Sequence, residues 1–130
     1  MERLVQFIGG GTGGHLMPAL AVADALKRMR PEVEVEFAIS GRETELRCFD
    51  GLDVKVSKLP TDGWNGSLVG KARFLARSPL AARRASRMYA ECRPDVVVGL
   101  GGYASVVPVL VAQGKGIPTV LLESNVIPGR

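Results

Sequence analysis

The stretch Gly9-Gly10-Gly11-Thr12-Gly13-Gly14-His15 constrains this 130-residue chain more than any other. Five of its first six residues are glycine, and it lies between an apolar run at residues 4–8 and a helical pattern starting near Pro18. A strand feeding a glycine turn that opens a helix is a way to hold a phosphate. Missing side chains let backbone N–H groups approach the anion, and the positive end of the helix dipole faces it. Glycines 9, 11 and 14 satisfy G-x-G-x-x-G, a pattern that gains meaning from its place between strand and helix. The other use of such a loop is a tight turn that packs helix on sheet. His15 adds a titratable group beside the proposed phosphate site, and it is the chain's single histidine.

The rest of the chain repeats the strand–helix alternation. Residues 18–30 predict a helix with Ala19, Val22, Leu26 and Met29 on one face and the Asp24–Arg28 pair on the other. Val33, Val35, Phe37 and Ile39 alternate with Glu34 and Glu36, predicting a second strand with one polar face. A short helix at 43–49, a strand at 54–59 and a loop at 60–66 follow. Residues 68–77 predict a basic amphipathic helix. Ser78-Pro79 then reads as the N-cap and first position of a separate helix reaching Arg93, with Ala81, Ala85, Met88 and Cys92 on one face. Residues 95–100 predict a dense apolar strand, 105–113 a helix and 118–122 a fifth strand.

This alternation predicts an α/β fold: a Rossmann-like, doubly wound parallel sheet of order 3-2-1-4-5, covered by helices on both faces. Strands one and four are then neighbours whose connections leave toward opposite faces, and ligands bind in the crevice at their carboxyl ends. Three polar clusters fall at such ends: residues 10–15, 101–105 and 123–125. Gly101-Gly102 predicts a second loop of backbone donors, with the Tyr103 and Ser105 hydroxyls beside it. Tyr103 reads equally as core filler and Ser105 as a plain N-cap. Glu123, ending a buried strand, is either salt-bridged or in the site, and Asn125 suits hydrogen bonding to a sugar or peptide. With a reference pKa of about 6.5, His15 can serve as a base, or it is a satisfied structural histidine. Trp64 reads as a loop anchor or as a lipid- or ligand-facing ring.

Charge sharpens the choice of partner. Between residues 71 and 93 seven basic side chains (Lys71, Arg73, Arg77, Arg83, Arg84, Arg87 and Arg93) face one acid, Glu91, within a chain of net charge +4. That excess points to a membrane surface, a phosphorylated ligand or nucleic acid, or to a solvated helix face. Cys48 and Cys92 show no metal-ligand or redox spacing and are expected reduced. No signal-peptide pattern is visible, and no window reaches the roughly 18 apolar residues of a membrane span.

Gly10-Gly11-Thr12-Gly13-Gly14-His15 followed by Pro18-Ala19-Leu20-Ala21 resembles the opening of the bacterial MurG family. Two later blocks agree in order and spacing. One runs Arg93-Pro94-Asp95-Val96-Val97-Val98-Gly99-Leu100-Gly101-Gly102-Tyr103-Ala104-Ser105. The other runs from Gly116-Ile117-Pro118 to Glu123-Ser124-Asn125-Val126-Ile127-Pro128-Gly129. The resemblance implies the amino-terminal half of a GT-B glycosyltransferase, the peripheral membrane enzyme that adds N-acetylglucosamine to lipid I and makes lipid II for peptidoglycan. It implies that Gly11, Thr12, Gly13, Gly14, Gly101 and Gly102 hold the acceptor pyrophosphate. It casts His15 and Glu123 as catalytic and places Tyr103, Ser105 and Asn125 in the acceptor cleft. Phe74, Leu75, Arg77, Leu80, Arg83 and Arg84 would form the membrane contact, on the cytoplasmic face of the inner membrane. No metal, cofactor or nucleic-acid partner is implied. Two positions depart from the family pattern: Leu122 stands where a histidine is usual, and Ser124 where a glutamine is. Residues 1–130 are expected to form one acceptor- and membrane-binding domain. The donor-binding domain is expected to be absent, so that UDP-N-acetylglucosamine binds only with a second domain and turnover needs that domain. Two other readings use the same residues: an NADP-binding domain in which Ser40 and Arg42 take the 2′-phosphate, and a non-catalytic membrane-anchoring subunit acting through residues 68–93.

Overall fold

In the computed structural model, residues 3–9, 13–41, 43–59, 68–101 and 103–122 are described, with backbone alone for 13–15, 71, 74, 75, 103 and 104. In chain order the elements are β1 (Arg3–Ile8), α1 (Gly13–Met29), β2 (Val33–Ile39), α2 (Glu43–Arg47), β3 (Lys55–Lys58), α3 (Leu68–Cys92), β4 (Val96–Gly99), α4 (Tyr103–Gly114) and β5 (Thr119–Leu121). The five strands form one parallel sheet of order β3-β2-β1-β4-β5, as the alternation predicts. Asp95 ties the amino end of β4 to β1: its backbone N–H donates to the Leu4 carbonyl, and its carboxylate accepts from the Leu4 N–H, each at 2.8 Å.

Strand alternation sends side chains to two separate cores. On one face Phe7, Val35, Phe37, Ile39, Val98 and Leu100 pack against Leu16, Ala19 and Ala23 of α1 and Phe49 beyond α2. On the other, Ile8, Ala38 and Val97 meet Ala85 and Tyr89 of α3 and Val109 and Ala112 of α4. The sheet is therefore wound on both sides, with α1 and α2 on one face and α3 and α4 on the other.

β5 is not the buried strand expected before Glu123, since it lies at the edge of the sheet with Val120 and Leu121 exposed; four further sequence expectations need correction. Residues 68–92 form one helix, with Pro79 inside it, rather than two. Proline in a helix interior costs about 3 kcal/mol, whereas nucleating a second helix costs about 4 kcal/mol. Carrying the rod through Pro79 is the cheaper course. Secondly, α1 starts at Gly13, five residues before Pro18. Leu16, fully buried, pins that first turn onto the aromatic core. Thirdly, the buried stripe of α1 is Leu16, Ala19 and Ala23, flanked by Leu20 and Leu26; Val22 and Met29 are exposed. The small alanines let the helix approach the sheet closely, and the larger residues turn outward. Finally, Glu36 does not lie on a solvated face but is buried beneath α3, because β2 runs between β1 and β3 in the sheet interior.

Candidate functional site at the carboxyl edge of the sheet

The parallel register brings strand ends into line. Ile8 pairs with Gly99 and Gly99 with Leu121, so β1, β4 and β5 end in one row. The chain leaves that row through three adjacent exits, at Gly9, Leu100 and Leu122. The Leu100 N–H donates to the Ile8 carbonyl and the Leu122 N–H to the Gly99 carbonyl, each at 2.8 Å, which extends the ladder one residue past the strands.

Gly9 and Gly101 both hold backbone conformations open to glycine, at φ 141° and 86°. A Cβ on Gly9 would stand 3.0 Å from the Leu100 Cβ and 3.3 Å from the Gly101 carbonyl oxygen. The first β–α junction thus lies directly against the fourth, with no room for a side chain between them. After these turns α1 rises on one face of the sheet and α4 on the other, and their amino termini flank the crevice. Helix amino termini carry partial positive charge and unpaired N–H groups, so an anion seated between β1 and β4 would be favoured from both sides.

Of the sequence-predicted site residues, Gly13, Gly14 and His15 occupy the first turn of α1 and Tyr103 the first residue of α4. The backbone therefore brings His15 and Tyr103 to the two flanks of the crevice. Ser105 is buried, and its hydroxyl donates to the Gly101 carbonyl at 3.0 Å. Since α4 already begins at Tyr103, Ser105 is not its N-cap; it fastens the helix to the glycine turn. Gly10, Gly11, Thr12, Gly102, Glu123 and Asn125 lie outside the described residues, as do Arg42 and Trp64.

Among the expected membrane-contact residues, Arg77, Leu80, Arg83 and Arg84 are exposed on α3. Phe74 and Leu75 lie on the same rod by backbone. Leu68 and Val69 at its start are exposed as well. No helix among the described residues is long and apolar enough to cross a membrane.

Two features went unseen in the sequence. Glu45 is buried, and one of its carboxylate oxygens accepts from the Ser40 hydroxyl at 2.6 Å and the Gly41 N–H at 3.1 Å. A carboxylate thus takes the donors that a 2′-phosphate at the end of β2 would need, which argues against the NADP reading. An acid in the first turn of a predicted helix reaching back to the preceding backbone was the available signal. The second is Tyr89, buried, whose hydroxyl donates to the Pro108 carbonyl at 2.8 Å and joins α3 to α4. Burial raises the Tyr89 pKa, helped by the nearby Cys92. Burial, followed by the charge of Glu36, raises that of Cys92.

Comparison with known proteins bears on this geometry. Residues 5–130 match the glycosyltransferase family 28 N-terminal domain. The chain is 39% identical over 122 residues to the UDP-N-acetylglucosamine–N-acetylmuramyl-(pentapeptide) pyrophosphoryl-undecaprenol N-acetylglucosamine transferase of Citrifermentans bemidjiense, covering 93% of this chain and 34% of that protein. It is 41% identical over 127 residues to the Lactiplantibacillus plantarum protein of the same name, again covering 93% and 34%. Among solved structures, Acinetobacter baumannii MurG superposes with a TM-score of 0.79 at 27% identity, over 98% of this chain and 37% of that one. The chain spans about a third of the length of these relatives. Neither the dinucleotide reading nor the adaptor reading is favoured by these matches. A doubly wound sheet with glycine turns at the ends of β1 and β4, matched over nearly its whole length, places the chain in glycosyltransferase family 28, as an N-terminal domain of that family.

Proposed function

We propose that this chain is the acceptor-binding part of an N-acetylglucosaminyltransferase that acts on a muramyl-pentapeptide linked through pyrophosphate to undecaprenol. The carrying observation is the contact of Gly9 with Leu100 and Gly101 at the aligned ends of β1 and β4, with a helix amino terminus on either side. That crevice suits a diphosphate: two helix amino termini flank it, and Gly9 and Gly101 bring no side chain to it. The names of the relatives supply the acceptor and the sugar.

The chemistry is a displacement in which an acceptor hydroxyl attacks the anomeric carbon of UDP-N-acetylglucosamine and the nucleotide leaves with the bonding pair. Gly11, Thr12, Gly13, Gly14, Gly101 and Gly102 bind the acceptor pyrophosphate. Tyr103 and Asn125 line the cleft around it, and Ser105 holds the Gly101 turn in place through its hydrogen bond to the Gly101 carbonyl. His15, at the start of α1, or Glu123, after β5, takes the hydroxyl proton. Donor and acceptor must be held together for transfer, and we assign donor binding to a second domain. The exposed basic face of α3, with Leu80 among Arg77, Arg83 and Arg84, holds the protein at an anionic membrane surface beside Phe74 and Leu75.

Calorimetry of the chain with a soluble short-chain prenyl diphosphate tests the reading. Saturable heat is expected, together with weaker binding of the monophosphate; no heat would overturn it. In the protein joined to its donor domain, His15→Ala should lower turnover about 10²–10⁴-fold and leave vesicle binding intact. Equal loss of both would make His15 structural.

A further inference from the structure

Beneath α3, away from the crevice, the sheet carries polar atoms that the fold does not satisfy. Gln6, Glu36 and Lys55 stand in one register row across β1, β2 and β3, with Ser57 two residues further along β3. Gln6 Oε1, Glu36 Oε2 and Ser57 Oγ are buried with no hydrogen-bond partner among the described residues. The Gln6 amide donates to sulfur, a weak acceptor: Met88 Sδ at 3.9 Å and the Cys92 thiol beside it. Lys55 Nζ lies 4.0 Å from Glu36 Oε2, close enough for ionic attraction and too far for a hydrogen bond. A buried polar atom left unpaired costs about 1–3 kcal/mol, and two of these, Glu36 Oε2 and Ser57 Oγ, stand on neighbouring strands where one partner could reach both.

A groove of ≈ 440 Å³ opens at this place, between the β2–β3 edge and the carboxy-terminal half of α3. Its lining includes Glu36 and Ser57 on the sheet and Arg84, Arg87 and Cys92 on the helix. Lys55 and Lys58 also line it, so four cations stand against the carboxylates of Glu36 and Glu91. Lys58, Arg84 and Arg87 form no ion pair with the described residues. A simple anion would satisfy the cations and leave Glu36 Oε2 with distant Lys55 alone and no hydrogen bond. A simple cation would satisfy Glu36 and be repelled by the rim. Only a molecule carrying both charges answers both halves.

We infer that this groove binds a small phosphorylated primary amine, its ammonium against Glu36 and Ser57 and its phosphate against Arg84 and Arg87. The site is separate from the crevice at the carboxyl edge and does not rest on the proposed activity. Two sources carry this chemistry, a soluble phosphoamine and an aminophospholipid headgroup.

The probe is O-phosphoethanolamine, followed by calorimetry and by the alkylation rate of Cys92, with Cys48 on the opposite core as the internal reference. Saturable binding is expected, with slowed alkylation of Cys92 and not of Cys48. Glu36→Gln should weaken binding about tenfold or more, because a charge-assisted hydrogen bond becomes a neutral one. Arg87→Ala, on the exposed surface of α3, should weaken it similarly without disturbing the fold. Inorganic phosphate should bind about tenfold more weakly than the phosphoamine for the same reason. No saturation by about 10 mM, equal binding of inorganic phosphate, or unchanged affinity in Glu36→Gln each overturns the inference. Flotation on phosphatidylethanolamine vesicles against phosphatidylcholine vesicles separates the sources. Loss of the ethanolamine preference in Glu36→Gln assigns the groove to a lipid headgroup; retention unchanged while soluble binding falls assigns it to a free solute.

Discussion

The two faces of the sheet are built from alternate residues of the same strands, yet they are packed to different standards. The face under α1 and α2 is apolar and aromatic. Phe7 stacks on Phe37 with ring centroids 4.8 Å apart, and Phe49 meets Phe37 edge-on at 5.0 Å. The face under α3 and α4 mixes Ile8, Val97, Tyr89 and Val109 with many small residues, Ala38 and Gly99 on the strands and Ala81, Ala85 and Ala112 on the helices, and sets Gln6, Glu36 and Ser57 among them. A period of two makes this segregation possible, since neighbours in sequence never share a face. One face is therefore free to anchor the fold, and the other to bring helices close and to carry polar groups at a cost in stability.

Breaking the anchoring face should have the largest effect. Phe37→Ala removes a fully buried ring that touches two others, and about 3–5 kcal/mol of stability should go with it. Urea unfolding measures this directly. The second effect should come from filling the small face. A Cβ at Gly99 would lie 2.9 Å from Val109 Cγ2 and 3.0 Å from Leu121 Cδ2. Val109 is a stiff β-branched residue on α4, so Gly99→Ala must push that helix off the sheet, at about 1–3 kcal/mol. Because α4 starts at the crevice, the same variant should weaken prenyl-diphosphate binding, whereas Phe37→Ala refolded under stabilising conditions should not.

The contrast also explains what could be read from residues alone. Strand order was legible because β1 and β4 are short apolar runs ended by glycine, and their carboxyl ends fall into register without further information. The crevice was legible for the same reason. Continuity of α3 was not: Ser78-Pro79 carries a helix-start signal, and only the cost of a second nucleus shows why the rod continues. The burial of Glu36 was hidden because alternation reports which residues share a face and not whether a helix covers it. Val22 and Met29 were misassigned because α1 offers two apolar stripes, and the sheet selects the one with alanines. Sequence patterning reports periodicity well and coverage poorly, and the small face is where coverage decides.

A third, smaller effect concerns the strut between the helices of that face. Tyr89→Phe keeps the ring and loses the hydrogen bond to the Pro108 carbonyl, for about 1 kcal/mol. It should also alter alkaline unfolding. Burial raises the pKa of Tyr89 and of Cys92 above their ordinary values of 10.0 and 9.0. The native state thus holds both protons after the unfolded chain has begun to lose them. This contribution is complete below pH 9 and drains away as pH rises through the folded pKa values. Denaturation midpoints should decline from about pH 9 upward; Cys92→Ala should blunt the first part of the decline and Tyr89→Phe the part above pH 10. Identical slopes in all three proteins would remove these two groups as the cause.

The smallest change should come from the residue that looks most out of place. Glu36→Gln exchanges a buried carboxylate, whose Oε2 has no hydrogen-bond partner, for a neutral amide of the same shape. Its nearest cation, Lys55, has a side chain 76% exposed, so little ionic attraction is forfeited. Removing a buried charge that only a distant, solvent-exposed lysine offsets should leave unfolding stability unchanged or raise it by about 1 kcal/mol. A loss as large as that from Gly99→Ala would mean that Glu36 is a structural brace, and the two faces would then differ in composition alone. A neutral or stabilising result, with phosphoamine binding lost, would show that this face keeps a carboxylate the fold does not need.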